Sequence, residues 1–187
     1  MKKTQTKKEK PQAKKGKQID NKKIVSIIVG AIAFVVAFVG MQQISLNTNN
    51  KKYSSNGFSI ELPESFYKKD LASATAYFES KDAIVTALKE DYKTLEVVNI
   101  NKESTIQDYA KAVGNNNKMT INLKDLKNTN YKYFTYEKTN SSKPFYYVGV
   151  IVKSNDAFWL INFGCERKNK TKYETKFLDW AKTIKIN

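Results

Sequence analysis

FYYVGVIVK, residues Phe145–Lys153, is apolar at both odd and even positions. A strand with one face in water alternates apolar and polar side chains, whereas one that is apolar on both faces must be covered on both. This stretch therefore predicts a central strand. Tyr131–Lys138 precedes it and Ala157–Cys165 follows it, each rich in aromatic and β-branched residues. Asn, Ser and Pro fill the first connection and Ser154-Asn155-Asp156 the second. Turns this short join antiparallel neighbours.

Working outward, Ser55-Asn56-Gly57 is a turn signal, after which Phe58, Ile60 and Leu62 alternate with Ser59 and Glu61 up to Pro63. Ala76–Glu79 and Ala83–Lys89 predict a strand pair turned by Ser80-Lys81-Asp82, and Leu95–Asn101 (LEVVNIN) predicts a further strand. Ser104 and Gln107 have the spacing of a capping box, with Ser104 as N-cap. Ile106, Tyr109, Ala110 and Val113 then form a helical stripe, closed by Gly114-Asn115, and Met119, Ile121 and Leu123 alternate after it. Thr171 and Glu174 repeat the capping pattern ahead of an apolar helical face of Tyr173, Phe177, Trp180, Ala181 and Ile184. Strands in hairpin-like succession with one internal and one terminal helix define an α+β domain with a mainly antiparallel sheet.

Three stretches resemble the PsbP-like family, named for the extrinsic subunit of the photosystem oxygen-evolving complex. They are Asn56-Gly57-Phe58-Ser59-Ile60 running into Leu62-Pro63, then Thr105-Ile106-Gln107-Asp108-Tyr109-Ala110, then Phe177-Leu178-Asp179-Trp180-Ala181-Lys182-Thr183-Ile184-Lys185. The fold of that family is shared with a Ran-binding protein and with bacterial envelope proteins and lipoproteins. The resemblance implies a PsbP-like α/β/α sandwich over residues 53–187, its twisted antiparallel sheet lying between helices. It carries no functional residues with it, since its motifs are turn and core positions. The chain departs from the lipoprotein members by having a candidate membrane helix where they have a lipidated cysteine.

That candidate is Ile24–Met41, eighteen residues without a charge. As a helix the run rises ~27 Å, or ~34 Å if continued to Leu46, against a hydrocarbon core of ~30 Å. It exceeds the apolar core of a signal peptide and lacks a small-x-small cleavage site, which predicts an uncleaved anchor. Ten lysines precede it and only Lys51 and Lys52 follow closely, so the N-terminus is expected in the cytoplasm and the folded domain outside. The organisation expected is a disordered basic tail (1–23), a transmembrane anchor (24–41), a polar linker (42–52) and an extracytoplasmic α+β domain (53–187). Ser26, Gly30, Ala33, Ala37 and Gly40 share one helical stripe. In a bilayer, small residues let backbones approach, which makes this stripe a candidate packing face for a homodimer or a membrane-protein partner.

The net charge of +15 is distributed in a way that argues against nucleic acid. More than half of the excess lies in residues 1–23, where ten lysines face only Glu9 and Asp20 and no aromatic residue is present for stacking. The chain has no histidine and one cysteine, Cys165, which removes Ser-His and Cys-His catalysis and an internal disulfide. Cys165 shares strand parity with Trp159, Ile161 and Phe163, so it is expected to be buried and inert. The carboxylate pairs Glu61/Glu64, Glu90/Asp91 and Glu103/Asp108 lack metal-loop spacing and are expected on solvated faces or helix ends. No catalytic residue, cofactor or metal site is predicted. Tyr131 and Tyr133 on one strand, with Arg167, Lys168 and Lys170 after the last strand, are the candidate partner surface. The function expected is a non-catalytic binding or accessory module at the cell envelope. A module binding a small molecule or anionic polymer is the alternative, and an enzyme with a carboxylate site ranks last.

Overall fold

The computed structural model of the chain describes residues 49–140 and 142–187. Its strands are β1 (Asn50–Ser55), β2 (Phe58–Pro63), β3 (Tyr67–Lys68), β4 (Ala76–Glu79), β5 (Ala83–Asp91), β6 (Lys124–Asp125), β7 (Lys132–Asn140), β8 (Lys143–Lys153), β9 (Ala157–Glu166) and β10 (Lys185–Ile186). Its α-helices are α1 (Tyr92–Leu95), α2 (Ile106–Asn117) and α3 (Lys170–Ala181). Ile24–Met41 and the packing candidates Ser26, Gly30, Ala33, Ala37 and Gly40 lie outside the described residues. No helix among the described residues is long and apolar enough to cross a membrane.

Seven strands form one sheet in the order β3-β4-β5-β9-β8-β7-β6, and β1-β2-β10 form a second, with every pairing antiparallel. β8 is an interior strand beside the central β9, and residues Phe145–Val152 are buried whichever way they point. Val148, Val150 and Val152 join Val85, Trp159, Ile161 and Phe163 on one face, covered by the small sheet and by Tyr173, Phe177, Trp180 and Ile184. Ile151, Phe158 and Leu160 on the other face meet Tyr109, Ala110 and Val113 of α2 together with Tyr92 and Leu95. Each large apolar side chain removed from water here contributes about 1.5–3 kcal/mol, so the two faces share the stabilisation.

Asn56 and Gly57, with φ of 47° and 83°, make the two-residue turn between β1 and β2. Positive φ at both central residues suits the right-handed twist of a hairpin, which is why Asn-Gly stands there. β1 itself starts at Asn50, so its first three residues come from the segment assigned above to the linker.

Four local expectations are corrected. Leu95–Asn101 is not a strand. Tyr92–Leu95 forms a helical turn and Glu96–Val98 a 3₁₀ turn, ended by Asn99 at φ 59°. Burial of Tyr92 and Leu95 at i and i+3 outweighs the alternation of that sequence. The N-cap of α2 is Thr105, not Ser104. The Thr105 hydroxyl accepts from the Asp108 N–H at 3.1 Å, while the Asp108 carboxylate accepts from the Thr105 N–H at 2.8 Å. Ser104 instead accepts the Asn101 N–H at 3.0 Å, and α2 runs past Gly114-Asn115 to Asn117, where Lys118 turns left-handed. Finally, α3 starts at Lys170 without a side-chain cap, since Glu174 accepts from the Tyr146 hydroxyl at 2.7 Å instead.

Candidate functional site: the α2 groove and its buried carboxylate

α2 packs on one sheet face through Tyr109, Ala110 and Val113, and the chain leaving it, Met119–Leu123, is neither helix nor strand and packs against the same core. Between them is a groove of about 500 Å3 lined by Gln107, Lys111, Gly114, Asn115, Ile121 and Asn122, among others. Gly114 permits the close approach: a Cβ there would sit 2.7 Å from the Met119 carbonyl oxygen. Met119, Ile121 and Leu123 pack toward the core, whereas Thr120 and Asn122 are exposed. Among the described residues, Thr120, Ile121 and Asn122 make no backbone–backbone hydrogen bond. β6 then pairs with β7 only at Lys132 and Tyr133, leaving the outer edge of β7 from Phe134 to Thr139 without a further strand among the described residues. This margin of the sheet therefore presents an open strand edge on β7 next to a cleft, which is the chemistry that receives a peptide strand.

Under the same helix lies Glu90, on β5. It is 3% exposed, although its place beside Asp91 suggested a solvated pair. The register Glu90↔Phe158 places it on the apolar face, with the Tyr109 ring stacked on Phe158 at 4.6 Å and 6°. The Tyr109 hydroxyl donates to Glu90 Oε2, and Glu90 Oε1 has no partner among the described residues. Burial pushes the Glu90 carboxyl up to about 7, with the Tyr109 hydrogen bond pulling the other way. The parity of Ile84, Thr86 and Leu88, continued by one step, is the sequence signal for this burial.

Glu79, on the neighbouring strand β4, shows what a cation changes. Burial raises its pKa, but Lys69 and the hydroxyls of Tyr77 (2.5 Å) and Tyr67 (2.8 Å) outweigh that and hold the carboxyl below the usual range. Glu79 and Glu90 are both buried and both accept from tyrosine, and among the described residues only the first has an ammonium beside it.

The residues singled out from sequence fall along α3. Tyr131 is half-buried, and its hydroxyl donates to the Ile184 carbonyl at 3.0 Å, beyond the C-terminal end of the helix. Tyr133 is half-buried against the same core. Arg167 pairs with Glu137 at 3.2 Å, Lys168 with Glu166 at 2.6 Å, and Lys170 lies over the Tyr146 ring at 4.8 Å, all near the N-terminal end. A helix of twelve residues, ~18 Å long, separates Tyr131 from the basic group, so the structure does not gather them into one cluster. Cys165 is buried, and burial first, then Asp82 and Glu166, push its thiol up to about 12. Among the described residues no group of His, Cys, Asp and Glu is placed to hold a metal ion.

No family model and no curated protein matches the sequence. Among solved structures the chain is similar to a Bacteroides thetaiotaomicron protein, with TM-score 0.51 and 14% identity over 73% of this chain and 48% of that one. The chain thus spans about half the length of that protein. It is also similar to a mutant form of Mog1, with TM-score 0.50 and 6% identity over 74% of this chain and 96% of Mog1. Mog1p of Saccharomyces cerevisiae is described as Ran-binding, the relationship that the resemblance implied. The fold is PsbP-like. Cyanobacterial PsbP from Synechocystis aligns over 81% of this chain and all of its own length, at 10% identity and TM-score 0.39. At such identities the likeness concerns the PsbP-like fold and not what is bound.

Proposed function

We propose that the chain is a non-catalytic binding or accessory module of the cell envelope, anchored by Ile24–Met41 with its N-terminus in the cytoplasm and its folded domain outside. The uncharged run behind ten lysines is the observation that carries this reading. β1 starts at Asn50, which leaves eight residues after Met41 as tether and holds the domain close to the bilayer. The domain would engage its partner at the sheet margin beside α2, where the outer edge of β7 from Phe134 to Thr139 has no strand partner among the described residues. Ser26, Gly30, Ala33, Ala37 and Gly40 would pack on a second membrane helix, in a homodimer or another subunit. An anionic polymer is the less favoured ligand, because Arg167 and Lys168 are each already paired with a carboxylate.

Protease added to intact spheroplasts should remove the folded domain, and full protection would overturn the orientation. Photo-crosslinkers at Thr120 and Asn122 should capture a protein in cells more efficiently than the same group at Lys176 on α3. Equal capture would remove the sheet margin from the proposal.

A further inference from the structure

α2 is held to the sheet by Tyr109, Ala110 and Val113, but that contact is imperfectly satisfied. Of the buried side-chain polar atoms without a partner among the described residues, Glu90 Oε1 lies beneath α2 and Asn116 Nδ2 is on α2 itself, three residues on from Val113. The charged and titratable groups around Glu90 leave it without a cation among the described residues. On β5, Lys89 and Asp91 project to the opposite face, where Lys89 bonds Asp156 at 2.6 Å. On β8, the Lys153 ammonium donates to the Ser104 carbonyl at 2.8 Å. On α1, the Tyr92 hydroxyl donates to the Ser154 carbonyl at 2.6 Å, and Lys93 is exposed. On and before α2, Asp108 caps the helix, while Glu103 and Lys111 are exposed. Among the described residues only the Tyr109 hydroxyl reaches the carboxyl.

We propose that Glu90 is a proton-binding site that sets how firmly α2 is docked on the sheet. Protonated, the carboxyl is a neutral group under an apolar helix and needs no counter-ion. Ionised, it is a buried charge with one hydrogen bond and one bare oxygen, and it regains solvent when α2 lifts. The direction of the burial effect on its pKa agrees with this. Opening the helix would expose Phe158, Leu160 and Ile151 and widen the groove that α2 walls. The latch depends only on the α2–sheet contact, so it stands or falls apart from the membrane topology and the partner.

The test is amide hydrogen exchange of the full-length chain in mild detergent from pH 5.5 to pH 8.5, corrected for the intrinsic pH dependence. With a docked pKa near 7 and a free one near 4.3, the opening constant of residues 106–117 should rise about thirtyfold over that range. Residues 170–181 of α3 should not follow. In Glu90→Gln the rise should vanish. Should Glu90→Gln fail to fold, Tyr109→Phe takes its place: losing the hydroxyl that favours the charged form should move the transition to higher pH. The proposal is overturned if α2 and α3 respond alike, if Glu90→Gln keeps the response, or if Tyr109→Phe leaves the midpoint unmoved.

Discussion

Gly149→Ala tests whether the aromatic row on the sheet is seated on glycine. A Cβ at Gly149 would lie 2.5, 2.7 and 3.0 Å from Cζ, Cε1 and Cε2 of Phe134. Carbon atoms in good contact stand about 3.5–4.0 Å apart, so the ring must retreat by roughly 1 Å. It has little room, being 1% exposed and stacked on Tyr136 at 5.7 Å, which stacks in turn on Tyr147 at 4.8 Å and 9°. Overpacking of this kind costs about 1–3 kcal/mol, while replacing glycine returns about 0.5–1 kcal/mol through the unfolded chain. The expected loss is about 1–2 kcal/mol, or roughly 4–8 °C in Tm for a domain of this size. Phe134→Leu should destabilise the parent chain but restore room in Gly149→Ala, giving a coupling of at least about 1 kcal/mol in a double-mutant cycle. The assay is urea unfolding of the four proteins. If the two changes add to within about 0.5 kcal/mol, the glycine is not there to seat the ring.

Two further outcomes follow from the capping and burial described above. Because the folded chain holds the Glu90 proton more tightly than the unfolded one, that contribution is complete below about pH 4.5, falls as pH rises to about 7 and is flat above. A separation of roughly 2.5 pH units corresponds to about 3 kcal/mol, read from urea unfolding at pH 4.5, 6 and 8 and largely abolished in Glu90→Gln. Glu79 and Asp156, held below the usual range, act oppositely and lose their contribution only as pH falls further. At the start of α2, Thr105→Ala should cost about 1 kcal/mol by thermal unfolding, and Gln107→Ala should be nearly neutral. The reverse order would mean that the cap is misassigned.

The elements were legible wherever burial and alternation agree. β8 announced itself because both of its faces are apolar, and the closing helix because Tyr173, Phe177, Trp180 and Ile184 keep one stripe. The opening strand was legible only from Phe58 onward. β1, NKKYSS, is an edge strand whose residues are mostly exposed, so no apolar pattern marks it. Ser104 and Thr105 both satisfy a cap from sequence, and the choice falls to Asp108, whose carboxylate reaches back to the Thr105 N–H. Glu90 was missed for a different reason. Its burial depends on which helix covers β5, a long-range fact that its neighbour Asp91 contradicts locally. Gly149 and Gly164 carried an unread signal, since glycine within a strand marks close approach of another group. The groove depends on a segment that leaves the sheet, and periodicity does not predict where alternation fails to pair.

The pairing of β10 with β2 has a consequence for synthesis. Ile186 lies opposite Phe58, and the Asn187 N–H donates to the Gly57 carbonyl at 2.9 Å. Roughly 120 residues separate the two strands, which at 5–20 residues per second is about 6–24 s of translation. Throughout that interval β2 has its hairpin partner but one unfilled edge. The domain therefore cannot finish folding as its first strands emerge, and β2 keeps an open edge until Lys185 and Ile186 have been made.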